Sequence, residues 1–263
     1  MSVCLNLIKT SEVEADLITE DASEFVNLAI DSCDKQKSET VKTHACKLLE
    51  SMCDNIDGST TLAALFCCNA INKVFGKEIT EEGFFGMEPD PFLQTTEPEL
   101  IVDACLVALT VMSYLLPERK DLTEVFTDTI ERNVNEILER KPILPGFTKM
   151  QIVKAVIMRS RLSLLIGYYG DLLFVKNFEA FKKSTSFLFE SVGVMEGPEK
   201  VVGLQCIDTL KTITVDSDVA KRFLTFLPEI VQMIANLMAT VNYPQFFEFV
   251  LEFGKFFARV LNE

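Results

Sequence analysis

Residues 41–75 read VKTHACKLLESMCDNIDGSTTLAALFCCNAINKVF, and they decide the fold class. Val41, Ala45, Leu48, Leu49, Met52 and Ile56 recur at three- and four-residue steps, the signature of an amphipathic helix. Gly58 ends that pattern, and Ser59 opens a second one through Leu62, Leu65, Phe66, Ile71 and Phe75. Two helices joined by so short a loop must lie antiparallel and side by side. The unit is therefore a helix hairpin, and the rest of the chain can be searched for more of them.

Upstream, residues 11–31 form an acidic stretch whose Ser11 and Glu14 predict a capping box. Downstream, helical pattern resumes with a second predicted box at Thr96 and Glu99 and runs to Leu116, stopped by Pro117. A helix over 122–140 follows, with Val125, Ile130, Val134, Ile137 and Leu138 on its core side. After a turn containing Pro142, Pro145 and Gly146, another helix passes through Ile152, Val156, Leu162 and Ile166, and Gly167 and Gly170 mark where it should loosen. Further pairs are predicted over 178–192 with 199–215, and over 218–241 with 244–261. Pro228 should kink or divide the first helix of the last pair near Leu227. No stretch alternates with the period of a strand. The second members of the last three pairs centre near residues 161, 207 and 253, about 46 apart, within the period of helix-pair solenoids. The fold expected is all-α: a right-handed α-α superhelix of about five stacked antiparallel helix pairs, residues 1–263 forming a single array.

The periodic pattern is interrupted once. Residues 76–97, GKEITEEGFFGMEPDPFLQTTE, hold three glycines, two prolines and six acids against one lysine, which predicts an acidic surface loop. Its Glu78, Glu81, Glu82, Glu88 and Asp90, with Phe84 and Phe85 as apolar anchors, are the candidate contacts for a basic partner. Arg159 and Arg161 are expected to be structural, tying one repeat to the acidic end of its neighbour.

Composition narrows the function. A chain 48% hydrophobic is too apolar to remain disordered. The net charge of −14 is uneven: residues 1–100 hold 19 Asp and Glu against 7 Lys and Arg, the remainder 20 against 18. That argues against nucleic acid and for basic protein partners. The longest apolar stretch, residues 100–116, carries Asp103 and is short for a membrane span, so no membrane partner is expected. Of the eight cysteines, Cys46, Cys53, Cys105 and Cys206 sit in apolar helical patterns, Cys67 and Cys68 are adjacent, and no C-x-x-C pair exists, as reduced thiols would be in a cytosolic or nuclear protein, so no metal is expected. The single histidine, His44, lies in an ordinary helix, and no phosphate loop is present. Neither catalysis nor a cofactor is expected. The phenylalanines of the last helix, from Phe246 to Phe257, are at core spacing, some available to an interface.

Two segments carry a family likeness. DLITEDASEF (residues 16–25) resembles the acidic E-L-W-x-E-D-P-x-E-Y/F segment found mid-chain in the large importins of the seven/eight/nine group, with Ile18 and Ala22 in place of Trp and Pro. MRSRLSLLIGY (residues 158–168) resembles that family's L/M-R-A-R-A-C-W helix, with Leu164 where Trp is usual. Their order, and the helix with DACLVAL at 103–109 between them, is similar to the central region of the importin-β superfamily over nearly the whole chain. The resemblance implies HEAT repeats, import of basic cargo such as ribosomal proteins or histones, release by GTP-bound Ran, contact with FG nucleoporins and shuttling between cytoplasm and nucleus. It also implies that the chain is the central part of a longer receptor, since the family's N-terminal Ran-binding repeats and long C-terminal arch have no counterpart here. An export receptor of the same superfamily, or an α-solenoid scaffold or adaptor unrelated to transport, remains the alternative.

Overall fold

The computed structural model describes residues 1–33, 40–79, 90–118, 120–194, 196–215, 221–222 and 224–262. Among them every regular element is helical: α1 (Ser2–Ile8), α2 (Glu12–Glu20), α3 (Ala22–Cys33), α4 (Val41–Asn55), α5 (Ser59–Val74), α6 (Pro91–Thr95), α7 (Pro98–Val111), α8 (Lys120–Leu138), α9 (Lys149–Lys176), α10 (Phe178–Val192), α11 (Glu199–Val215), α12 (Leu227–Met238) and α13 (Pro244–Asn262). Short 3-10 turns at Leu116–Glu118 and Leu224–Phe226 precede α8 and α12.

Local chemistry sets the boundaries. Ser11 and Glu14 form the expected reciprocal cap of α2, and Thr148 with Gln151 does the same for the 28-residue α9. Gly58, at φ +78°, takes the left-handed conformation that lets α4 turn straight into α5. Pro228 lies in the first turn of α12, where its missing N–H costs nothing, so it starts a helix after the 3-10 turn. The box expected at Thr96 and Glu99 does not form. Glu97 caps α7 without a side-chain bond, Pro98 begins the helix, and Glu99 instead pairs with Lys141 at 2.7 Å. The span 76–97 is also not all loop: Pro91–Thr95 is a helical turn that buries Phe92.

The helices pack in two rows. α7, α9, α11 and α13 each contact the next, and α5, α8 and α10 form a second row behind them. Small side chains permit close approach around α5: Ala63, Ala64, Cys67, Cys68 and Ala70 are buried in a helix that packs on α7, whose Ala104, Cys105 and Ala108 are buried too, and on α8. The Tyr169 hydroxyl donates to the Leu109 carbonyl at 2.7 Å while its ring lies 4.5 Å from that of Phe126, joining α7, α8 and α9. The apolar stripe of α4 differs from the expected one. Ala45, Cys46, Leu49 and Cys53 face inward, whereas Val41, Leu48 and Ile56 are exposed. Gly167 and Gly170 do not loosen α9, which is continuous through both; Gly167 lies beside Thr209 of α11, with room for a methyl group at ordinary contact distance.

A third layer was not foreseen. α2 packs on α9 and α3 on α11, so the N-terminal helices cross over the later part of the first row. In an array where each repeat touches only its neighbours, residues so far apart in sequence would not meet. Here the N-terminal segment is folded back across them.

Candidate partner-binding surface

The crossing layer is held by buried charge. Arg161, on α9, is almost wholly buried; its Nε donates to Asp103 Oδ1 of α7 at 2.8 Å. The guanidinium lies 4.9 Å from the ring centre of Phe25 on α3 and 3.5 Å from Glu14 Oε1 of α2. Asp103 Oδ2 accepts the Thr10 N–H at 2.6 Å, and Lys42 Nζ of α4 reaches Glu14 Oε1 at 2.8 Å. Burial would raise the Glu14 carboxyl, but Lys42 and Arg161 beside it hold it below its ordinary value. Five helices thus meet at one charged junction. Arg159 makes the next tie along the row, a two-bonded fork of 2.7 Å to each oxygen of Glu199 at the start of α11. Both arginines therefore join helices of different pairs, and Arg161 connects residues 16–25 with residues 158–168.

The acidic surface lies on the crossing layer itself. Residues 10–33 contain seven acids and no Lys or Arg. Glu12, Asp16, Glu20, Asp21 and Glu24 are exposed along α2 and the start of α3. Among the described residues Lys149 pairs with two of them, 2.6 Å from Asp16 and 2.9 Å from Glu20. Beside this ridge, α1, α2 and α4 enclose a cleft of about 430 Å3 whose rim exposes Leu7, Val13 and Val41. Acids flanking an apolar cleft can grip a partner carrying both basic and apolar side chains.

Of the residues singled out in the acidic loop, Glu81, Glu82, Phe84, Phe85 and Glu88 lie outside the described residues. Glu78 is exposed just beyond α5. Asp90 is occupied: it caps α6 by accepting the Phe92 N–H at 2.8 Å and also accepts the Ser2 hydroxyl. The structure does not bring these two next to the ridge residues by any bond. The acidity of 11–31 was visible in the sequence; that it lies over α9 and α11 was not, because no local pattern encodes that contact.

The remaining reactive groups are quiet. His44 is exposed and its Nδ1–H donates to the Thr40 carbonyl at 2.8 Å. Cys4, Cys46, Cys53, Cys67, Cys68, Cys105 and Cys206 are free and buried, and burial pushes the Cys68 and Cys206 thiols up to about 12. No described helix is long and apolar enough to cross a membrane. Comparison with protein-family models, with curated proteins and with solved structures gives no match for this chain.

Proposed function

We propose that the chain binds basic protein partners on the acidic ridge of α2 and α3, and that it works as a HEAT-type helical array of the importin-β kind, without catalysis of its own. The observation that carries the reading is the ridge: five exposed acids on two consecutive helices and the residue between them, with one lysine paired to them among the described residues. The two rows of helices support the repeat architecture, and the contact between residues 16–25 and α9 fits the order of the two importin-like segments. In this reading the partner's positive charge is neutralised over many weak contacts, so affinity falls as salt screens them. Basic cargo, Ran, FG nucleoporins and shuttling between cytoplasm and nucleus follow from the resemblance. Among export receptors and scaffolds, the same surface would serve different ends.

The test is a binding titration with core histones at low and at physiological salt. Replacing Glu12, Glu20 and Glu24 by Gln, and Asp16 and Asp21 by Asn, is expected to weaken binding at least tenfold at low salt while leaving the far-UV circular dichroism unchanged. Unaltered affinity would dismiss the ridge. A parallel variant with Glu78, Glu81, Glu82 and Glu88 changed to Ser measures the loop's share, Asp90 being kept for its cap. GTP-bound Ran then separates the wider readings: release of the histone supports import, tighter binding favours export, and indifference favours a scaffold.

A further inference from the structure

The start of α3, which carries Glu24 of the ridge, also lines a cleft of about 250 Å3 between α3, α11 and α13. Its polar wall comes from Ser23 and Asn27 of α3, Asp208 and Lys211 of α11, and Gln245 and Glu248 of α13. Lys211 Nζ lies 2.8 Å from Glu248 Oε2, so the one cation of this wall is taken up by its more exposed carboxylate. Asp208 is left over. No described residue donates a hydrogen bond or ion pair to its carboxylate, and burial pushes its pKa above the ordinary value, with Lys211 offsetting only part of that. Gln245 Oε1 is buried and receives no donor from the described residues.

A half-buried carboxylate and a buried amide oxygen, neither with a donor among the described residues, make an incomplete arrangement: an acceptor buried unpaired costs stability. What completes it is a cation with several N–H donors. A guanidinium has five in a planar fork and is more weakly hydrated than an ammonium, so it can enter a half-enclosed cleft and serve two oxygens together. We propose that this cleft receives an arginine side chain of a basic protein partner, Asp208 pairing with the guanidinium and Gln245 Oε1 accepting a second N–H. Exposed Glu24, next in sequence to the lining residue Ser23, adds negative charge at the start of α3, and Asp208 fixes one side chain of the partner. The inference rests on the ridge being a surface for basic partners and names the point where such a partner is anchored.

The probe is N-acetyl-arginine amide, titrated into the isotope-labelled chain, with N-acetyl-citrulline amide as the neutral control of the same shape. Saturable shifts of the Asn27 and Gln245 side-chain amides are expected with arginine, and about tenfold weaker binding with citrulline or in Asp208→Asn, the worth of one charge-assisted hydrogen bond. The same variant is expected to melt no lower than the parent, because it removes a carboxylate that nothing pairs. Shifts absent from the cleft, shifts indifferent to Asp208→Asn, or a melting temperature lowered by several degrees would each overturn the proposal. Histone binding reads the ridge independently. If histones bind through the ridge and the arginine probe ignores the cleft, only the anchor falls; if the probe binds and ridge variants leave histone binding intact, the anchor stands and the wider surface reading falls.

Discussion

Replacing Arg161 by Met strands Asp103 in the interior. Both side chains are essentially inaccessible to water, and the Nε to Oδ1 bond is 2.8 Å. The same change removes the cation over Phe25 and one of the two cations beside Glu14, although Lys42 remains there. Removing one partner of a buried pair typically costs about 3–5 kcal/mol, because the other charge is left uncompensated. For a chain of this size each kcal/mol moves the midpoint by about 2–4 °C, so Arg161→Met should melt about 6–20 °C below the parent. Replacing the pair by apolar groups is far less costly than breaking it. Asp103→Leu combined with Arg161→Met should therefore melt above either single variant, with about 1–3 kcal/mol still lost because the Thr10 N–H keeps no acceptor. Urea unfolding followed by far-UV circular dichroism measures all four proteins. Single variants within about 1 kcal/mol of the parent, or costs that simply add in the double variant, would refute the junction as the clasp of the crossing layer.

Two further outcomes follow from neighbouring geometry. Glu14 has a depressed carboxyl, so its contribution is complete above its unfolded value near 4.5 and is lost as the pH falls below that. Glu14→Gln, which can keep the helix cap, should cost about 1–3 kcal/mol at neutral pH, and the gap to the parent should close on acidification; a gap that widens towards acid pH would contradict the assignment. Gly167→Ala adds a methyl 3.6 Å from Thr209 Cγ2, an ordinary contact, inside a long helix. It should raise stability by about 0.5–1 kcal/mol, and a fall in the urea midpoint would show that α9 and α11 have no room to spare.

Much of the helix order was legible in the sequence because caps and breakers act locally. Ser11 with Glu14, Gly58 and Pro228 each mark a boundary through bonds or torsions within a few residues. Failures occurred where two local signals compete or where a partner is remote. Thr96 and Glu99 have cap spacing, yet Pro98 sets the start of α7 and Lys141 claims Glu99. In α4 the apolar residues outnumber those one face can bury, and the choice falls to the small face with Ala45 and Cys46, which the sequence alone does not mark. Glycines in α9 read as flexibility until Thr209 is seen beside one of them. The candidate surface was half legible: the run of acids was plain, but Asp208 looked like any helix acid until α3 and α13 closed around it.

The layer formed by α2 and α3 also constrains how the chain can reach its final state. Thr10 meets Arg161 across 151 residues, and α3 meets a helix that begins at Glu199. A stack of neighbours can grow from any point outward, but this one cannot finish that way. On a ribosome adding about 5–20 residues per second, the N-terminal helices wait roughly ten seconds or more for the surface that covers their apolar side. Until then Phe25, Ile18 and Ala15 have nothing to bury against on α9 and α11, and the closing of that long loop is a late, slow step. The acids that line the outside of those same helices would keep the waiting segment soluble, so one run of charge can serve the nascent chain before it serves a partner.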